Sequence, residues 1–255
     1  MNAPASVTGV TVELAEFAVR TDPLPPHVLA AARALTAGTL ARMTAGADAP
    51  AVRIARAALG SDAVTLAALL GGLAARAGGD GPAHPATGAD VGAPIVPAAR
   101  ALGAHLGRTE DAIVEAVGFG AEVALRVGVA LGAWHRERGW DVTGTTGRIG
   151  AAAACARLLG LGAEQTTHAL GIATTEAAGL LRAADSMTGD YHAGKAAYDG
   201  VEAALLASAG FTSARTAIEG VRGLLVTTSK DADPTPIVDG LGDRWELTAL
   251  ALGEE

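Results

Sequence analysis

Aromatic side chains are nearly absent from this 255-residue chain: three Phe, three Trp and two Tyr, or 3 % of the whole. That scarcity excludes the stacking platforms on which single-stranded nucleic acids are held. Basic charge is also short, with 19 Lys and Arg against 27 Asp and Glu and a net charge of −8. No Lys/Arg cluster forms the basic face that a duplex or single strand requires, so nucleic acid is excluded as a partner. Long apolar runs are missing too, because Arg, Glu or Gly interrupts each stretch well short of a membrane-spanning length. Met1 to Thr11 lacks the basic and apolar regions of a secretory leader. One cysteine, Cys155, cannot form an internal disulfide and fits a reducing cytoplasm. Its place in the alanine run 151–156 reads as a buried structural thiol rather than a nucleophile.

What is abundant is Ala and Gly, with half the chain apolar. Few β-branched runs alternate at period two, so the reading is all-α: helices packed closely through small side chains, with Leu and Val filling the gaps. The chain is expected to form a single helical domain over 1–255. Helices are expected at Val12–Val19, His27–Thr44, from the Ser61-Asp62 cap through Leu70, Pro97–Leu106, and from Thr109-Glu110-Asp111 to Leu131. Three more are expected at Gly147–Leu159, Glu164–Leu181 and His192–Ala209. The acidic residues after Thr109 complement a helix dipole. Between these lie three glycine-rich polar loops: Gly78-Gly79-Asp80-Gly81-Pro82 with its continuation Ala83-His84-Pro85-Ala86-Thr87, then Gly139–Thr145, and Asp185–Asp190. Loops on a rigid helical scaffold are where chemistry is usually mounted.

The order of short motifs along the chain resembles the MmgE/PrpD family, which includes 2-methylcitrate dehydratase, cis-aconitate decarboxylase and iminodisuccinate epimerase. The resemblance rests on Leu14-Ala15-Glu16-Phe17, Leu24-Pro25-Pro26-His27-Val28, Gly92-Ala93-Pro94-Ile95-Val96-Pro97 and Ala121-Glu122-Val123-Ala124-Leu125-Arg126. It continues through Thr143-Gly144-Thr145, Ser186-Met187-Thr188, His192-Ala193-Gly194 and Gly242-Asp243-Arg244-Trp245-Glu246. It implies the family's helical domain, a homodimer and no cofactor. Family members continue past the Trp-Glu segment into a small lid domain, whereas this sequence stops nine residues after Glu246. The expectation is a lid-less domain whose pocket stays open or is completed by a partner.

The resemblance also implies altered catalytic positions. The family's first-loop carboxylate segment aligns with Gly78–Pro82, leaving Asp80 as a surviving carboxylate, and its first catalytic His falls at Gly88 or Asp90. Its second catalytic His falls at Asp141, after Gly139-Trp140, and its catalytic Lys at Gly189. Replacing cations by Asp141 and Gly189 weakens binding of a polyanion, since one unit-charge contact is worth up to about 4 kcal/mol at an effective dielectric near 20.

The candidate catalytic residues are therefore Asp141, as a base raised by burial, His84 and Lys195. Substrate-binding candidates are Asp80, Asp90, Trp140, Thr143, Met187, Tyr191 and His192. Several have a plainer role: Asp141 as a cap for the next turn through Thr143, His84 solvated, Asp80 in a turn, and His192 with Lys195 capping a helix start. His135-Arg136-Glu137-Arg138 reads as an exposed charged turn, and His27, His105 and His168 as structural. No His/Cys/carboxylate spacing suits a metal. Gly144-Thr145-Thr146-Gly147 lacks the lysine of a phosphate loop. Three functional readings stand: a cytoplasmic lyase, isomerase or cyclase acting on a larger, less charged small molecule; a noncatalytic scaffold on a dead enzyme core; and a polycarboxylate lyase completed by a separate chain.

Overall fold

The computed structural model describes residues 9–252. The leader-free reading of the N-terminus falls partly on residues 1–8, and these, with 253–255, lie outside the described residues. The architecture is all-α, with no strand among the described residues. In chain order the helices are α1 (Val10–Ala18), α2 (Pro26–Ala45), α3 (Pro50–Leu59), α4 (Val64–Ala77), α5 (Gly92–His105), α6 (Glu110–Glu137), α7 (Val142–Leu159), α8 (Ala163–Thr175) and α9 (Met187–Ser208). Short helices α10 (Leu224–Thr228) and α11 (Thr235–Val238) complete the set. No helix among the described residues is long and apolar enough to cross a membrane.

Helix α7 packs between α6 and α9, and α4 and α5 close over them. The small residues make these approaches possible. A Cβ on Gly120 would lie 2.5 Å from the Gly150 carbonyl oxygen, and one on Gly150 would lie 2.4 Å from that of Gly120. Likewise a Cβ on Gly72 would meet the Gly194 Cα at 2.7 Å, where α4 crosses α9. Backbones in direct contact leave no room for a side chain, which is why the composition runs to Gly and Ala. Cys155 is fully buried in α7, and burial pushes its thiol far up, out of the nucleophilic range.

Element boundaries differ from expectation in a few places, each with a physical reason. Helix α3 carries no expectation from the sequence; Pro50 occupies its first turn, where a missing N–H costs nothing. Helix α5 begins at Gly92 rather than Pro97, because Gly92–Ala99 is buried throughout and tertiary packing outweighs the proline. Thr109 caps α6 as its sequence suggests, accepting from the Ala112 N–H at 3.3 Å. That helix bends at Gly132 (φ 69°) and runs on to Glu137. Helix α8 stops at Thr175, not Leu181, because 179–181 leaves it to pair with 139–141: Asp141 N–H donates to Gly179 O at 3.0 Å and Leu181 N–H to Gly139 O at 2.8 Å. Helix α9 starts at Met187, inside the expected third loop.

The last segment is fixed from within. Buried Glu122 accepts from Arg126 Nε at 2.6 Å and from the backbone N–H of Glu246 (3.1 Å) and Leu247 (3.0 Å). Arg126, wholly buried, spends its other donors on carbonyls of Pro236, Ile237, Asp239, Gly240 and Arg244. Three of the few aromatics, Phe17, Phe119 and Trp245, pack together with centroids 5.3–5.9 Å apart.

Candidate active site

A cavity of about 430 Å³ opens where the end of α4, the 78–91 loop, the start of α7 and the start of α9 converge. Its charged and polar lining is Arg76, Asp80, Thr87, Asp90, Arg136, Asp141 and Thr143. All three glycine-rich loops reach this cavity, the first through Asp80 and Thr87, the second through Asp141 and Thr143, the third through Gly189. Ala184, just before the third loop, and Ala193, on α9, complete the same wall.

The first loop is held by Asp90. Its carboxylate accepts from Arg42 at 2.7 and 3.2 Å and from the Ala93 N–H at 3.3 Å, so it anchors the loop and caps the start of α5. The Asp90 N–H donates to Thr143 Oγ1 at 3.0 Å, which ties the loop to the first turn of α7. Arg76 reaches in from the last turn of α4, 3.8 Å from Asp90 and 3.6 Å from the fully exposed Asp80.

Asp141 stands at the N-cap of α7, but its side chain makes no cap hydrogen bond. Instead its Oδ2 accepts from His192 Nδ1 at 2.9 Å. Burial pushes the Asp141 carboxyl up, but the hydrogen bond and charge of His192 outweigh burial and hold it below the ordinary carboxylate range. The expectation of a carboxyl raised into a basic range is corrected accordingly: Asp141 is an ionised partner, because the hydrogen bonds to its carboxylate and the nearby positive charge, Arg76 included, together outweigh partial desolvation. The dyad fills a tight nook. A Cβ on Gly179 (φ 127°) would stand 3.1 Å from Asp141 Cβ and 3.5 Å from His192 Nδ1. His192 Nε2 has no hydrogen-bond partner among the described residues, and it is not sealed from solvent.

Beneath the nook, buried Arg148 ties three elements together. It donates to the carbonyls of Gly144, Glu176 and Ala178 and to Asp199 Oδ2 at 2.6 Å. Lys195 bonds the other oxygen of Asp199 and lies 4.8 Å from the Tyr198 ring. Lys195 is therefore part of this strut, and neither it nor His192, three residues before it, is among the residues that line the cavity.

Several expected residues go elsewhere. His84 is neither solvated nor in the cavity; its ring is buried, with Nδ1 3.3 Å from Thr87 Oγ1 and Nε2 3.5 Å from Glu246. Burial lowers its pKa, against an opposing pull from Glu246. Trp140 does not line the cavity but stacks on His135, centroids 5.7 Å apart and nearly parallel. Met187 and Tyr191 lie on the exposed surface outside the lining, since α9 already runs there and turns them outward. The expected apolar wall is replaced by charge. His135, read as part of an exposed turn, is fully buried and bonds Thr145 Oγ1 (3.1 Å) and Thr228 O (3.2 Å); burial lowers its pKa. Arg136 to Arg138 are exposed as expected. The two cavity arginines, Arg76 and Arg136, are absent from the sequence-based candidates. A cation in the last helical turn before a glycine-rich loop was the available signal for Arg76.

Comparison with known proteins matches residues 12–237 to the MmgE/PrpD N-terminal domain. Cis-aconitate decarboxylase-like protein oryM of Aspergillus oryzae (strain ATCC 42149 / RIB 40) is 34% identical over 143 residues, covering 52% of this chain and 29% of that protein. Cis-aconitate decarboxylase of Aspergillus terreus is 31% identical over 180 residues, covering 66% of this chain and 36% of that protein. The matched part is thus about a third of the length of these curated relatives. With an ordered match across most of the residues that build the helices and the cavity, this chain belongs to the MmgE/PrpD family.

Proposed function

We propose that this chain is a lyase-type enzyme that takes a proton from the carbon beside a carboxylate on a small molecule carrying fewer charges than citrate. The observation that carries the reading is the hydrogen bond from His192, set just behind the cavity lining, to Asp141, which lines it. With Nδ1–H donated to Asp141, a neutral His192 presents Nε2 as the base; an ionised Asp141 then stabilises the imidazolium formed. His192 takes the catalytic role and Asp141 positions it, whereas Lys195 and His84 support the surrounding structure.

Arg76 and Arg136 are the groups suited to a substrate carboxylate. The electron pair left by the departing proton moves toward that carboxylate, where Arg76 offsets the developing charge. Three carboxylates of the chain share the lining, and Asp90 is already paired with Arg42. Two arginines facing Asp80 and Asp141 suit one or two substrate carboxylates better than three. The same reading takes the protein to be a cytoplasmic homodimer that needs no cofactor.

The names of the relatives favour a second reading: a polycarboxylate lyase, with further site residues supplied by polypeptide outside this domain.

Hydrogen–deuterium exchange and turnover, followed by NMR in D₂O on a panel of mono-, di- and tricarboxylates, tests both. The expected result is exchange on a mono- or dicarboxylate, reduced about 10²- to 10⁴-fold by His192→Gln and less by Asp141→Asn. Turnover of cis-aconitate or 2-methylcitrate at enzyme rates selects the second reading. Exchange that survives His192→Gln removes the dyad from the mechanism.

A further inference from the structure

A second cavity, of about 380 Å³, lies at the other end of α7, where the ends of α1 and α7 meet the first turns of α6. Helix α7 has 18 residues, so this cavity is about 27 Å along the helix from the dyad. It is lined by three arginines, Arg20, Arg108 and Arg157, and by one carboxylate, Glu115.

The three arginines are not equivalently engaged. Arg157 is committed: it pairs with Glu115 at 3.0 Å, donates to Ala18 O and Arg20 O at 3.2 and 2.8 Å, and lies over the Phe119 ring at 4.1 Å. Arg108 spends only its Nε, on Leu158 O at 2.9 Å, and both of its terminal nitrogens make no hydrogen bond among the described residues. Arg20 has neither a carboxylate nor a carbonyl partner among the described residues. Its guanidinium stands 5.2–5.6 Å from the centroids of Phe17, Phe119 and Trp245, and its Nε is buried with no acceptor.

Against three guanidinium charges and the positive N-terminus of α6 stand Glu115 and the C-termini of α1 and α7, each terminus roughly half a unit. More than one positive charge is left over in a protein whose net charge is −8. Arg20 Nε is closed off from the cavity, but the terminal nitrogens of Arg20 and Arg108 are open and without acceptors among the described residues, and an anion seated between them supplies charge-assisted hydrogen bonds. The aromatic rings hold Arg20 in place by their faces and leave its N–H edge for a ligand. Donors from two differently oriented guanidinium groups suit a tetrahedral oxyanion.

We propose that this cavity binds a phosphate group carried by a small molecule, gripped between Arg20 and Arg108, with Arg157 and Glu115 forming its fixed wall. The volume lies within the range of small-molecule sites, so it accommodates more than the phosphate alone.

Titration of the intact protein with inorganic phosphate, at constant ionic strength set with sodium chloride, tests this. Arginine Nε–H resonances are followed by ¹⁵N NMR, and thermal unfolding is recorded in parallel. Saturable shifts of the Arg20 and Arg108 signals are expected, with a raised melting temperature. Arg108→Gln, at an exposed position, is expected to weaken binding about tenfold or more, whereas Asp141→Asn leaves it unchanged. Shifts that grow linearly with phosphate, or saturation untouched by Arg108→Gln, overturn the assignment. Because the readout is binding and not turnover, its result is independent of the reaction at the dyad.

Discussion

Replacing Arg126 by Met gives the sharpest test of what holds this domain shut. Arg126 is wholly buried and is the cation facing buried Glu122. Removing one member of a buried ion pair costs about 3–5 kcal/mol. Arg126 also satisfies the carbonyls of Pro236, Ile237, Asp239, Gly240 and Arg244, and each left bare adds about 1–3 kcal/mol unless water reaches it. Loosening of 236–247 admits that water, so a total near 4–6 kcal/mol is expected, an appreciable part of the roughly 5–15 kcal/mol that holds a typical domain.

Glu122 sets the pH dependence of the loss. Burial already raises its carboxyl above the ordinary range, against the lowering pull of the Leu247 N–H and Arg126. Without Arg126 the folded pKa moves further up. For an acid raised on folding, stability is present at low pH and lost as pH climbs through the folded value. The penalty is therefore larger at about pH 8 than at about pH 4, near the ordinary carboxylate value from which the loss begins. Urea unfolding at both pH values measures it, and Arg126→Lys, which keeps the charge but not the fork, is expected to lose about half as much in a form that still folds. Amide exchange at Glu246 and Leu247 should quicken in both variants. A loss below about 2 kcal/mol for Arg126→Met, with those amides still protected, would refute the reasoning.

Two further outcomes concern the site and its surroundings. His84 and His135 are both lowered by burial, so the unfolded chain binds protons that the fold refuses; stability is expected to fall as pH drops below about 7 through the ordinary histidine range. Thermal melts of the protein and His135→Gln check this, a shallower acid slope in the variant being the expected sign. Gly179→Ala, at φ 127° with its new Cβ 3.1 Å from that of Asp141, should cost about 1–3 kcal/mol and displace the dyad; an unchanged melting temperature and an unchanged His192 ring signal would count against the close packing described.

The helical class and the close packing were legible because composition and spacing are local quantities: Gly and Ala at high density, Thr109 before two acids, Pro26 in a first turn. The convergence of Asp90, Asp141 and Thr143 on one cavity was legible only through the family resemblance. What stayed hidden was direction. Trp140 and His135 sit five residues apart across a glycine turn, and only the pairing of 139–141 with 179–181 turns the indole onto the imidazole. His84 belongs to the right loop yet points inward toward Glu246, 162 positions later in the chain, a contact no local pattern encodes. Arg76 and Arg136 were missed for the same reason: they share a cavity but no motif.

The glycine crossings between α6 and α7 and between α4 and α9 have a consequence for how this scaffold can be re-equipped. Where two backbones touch, neither helix can slide, rotate or admit a larger residue without parting from the other. The frame is thus stiff at its centre, and a change of substrate has to be written in the segments that line the cavity at its end, 78–91, 136–143 and 181–193. Those stretches can be recast residue by residue while the frame keeps its shape. New chemistry here is a matter of exchanging the fittings on a fixed chassis.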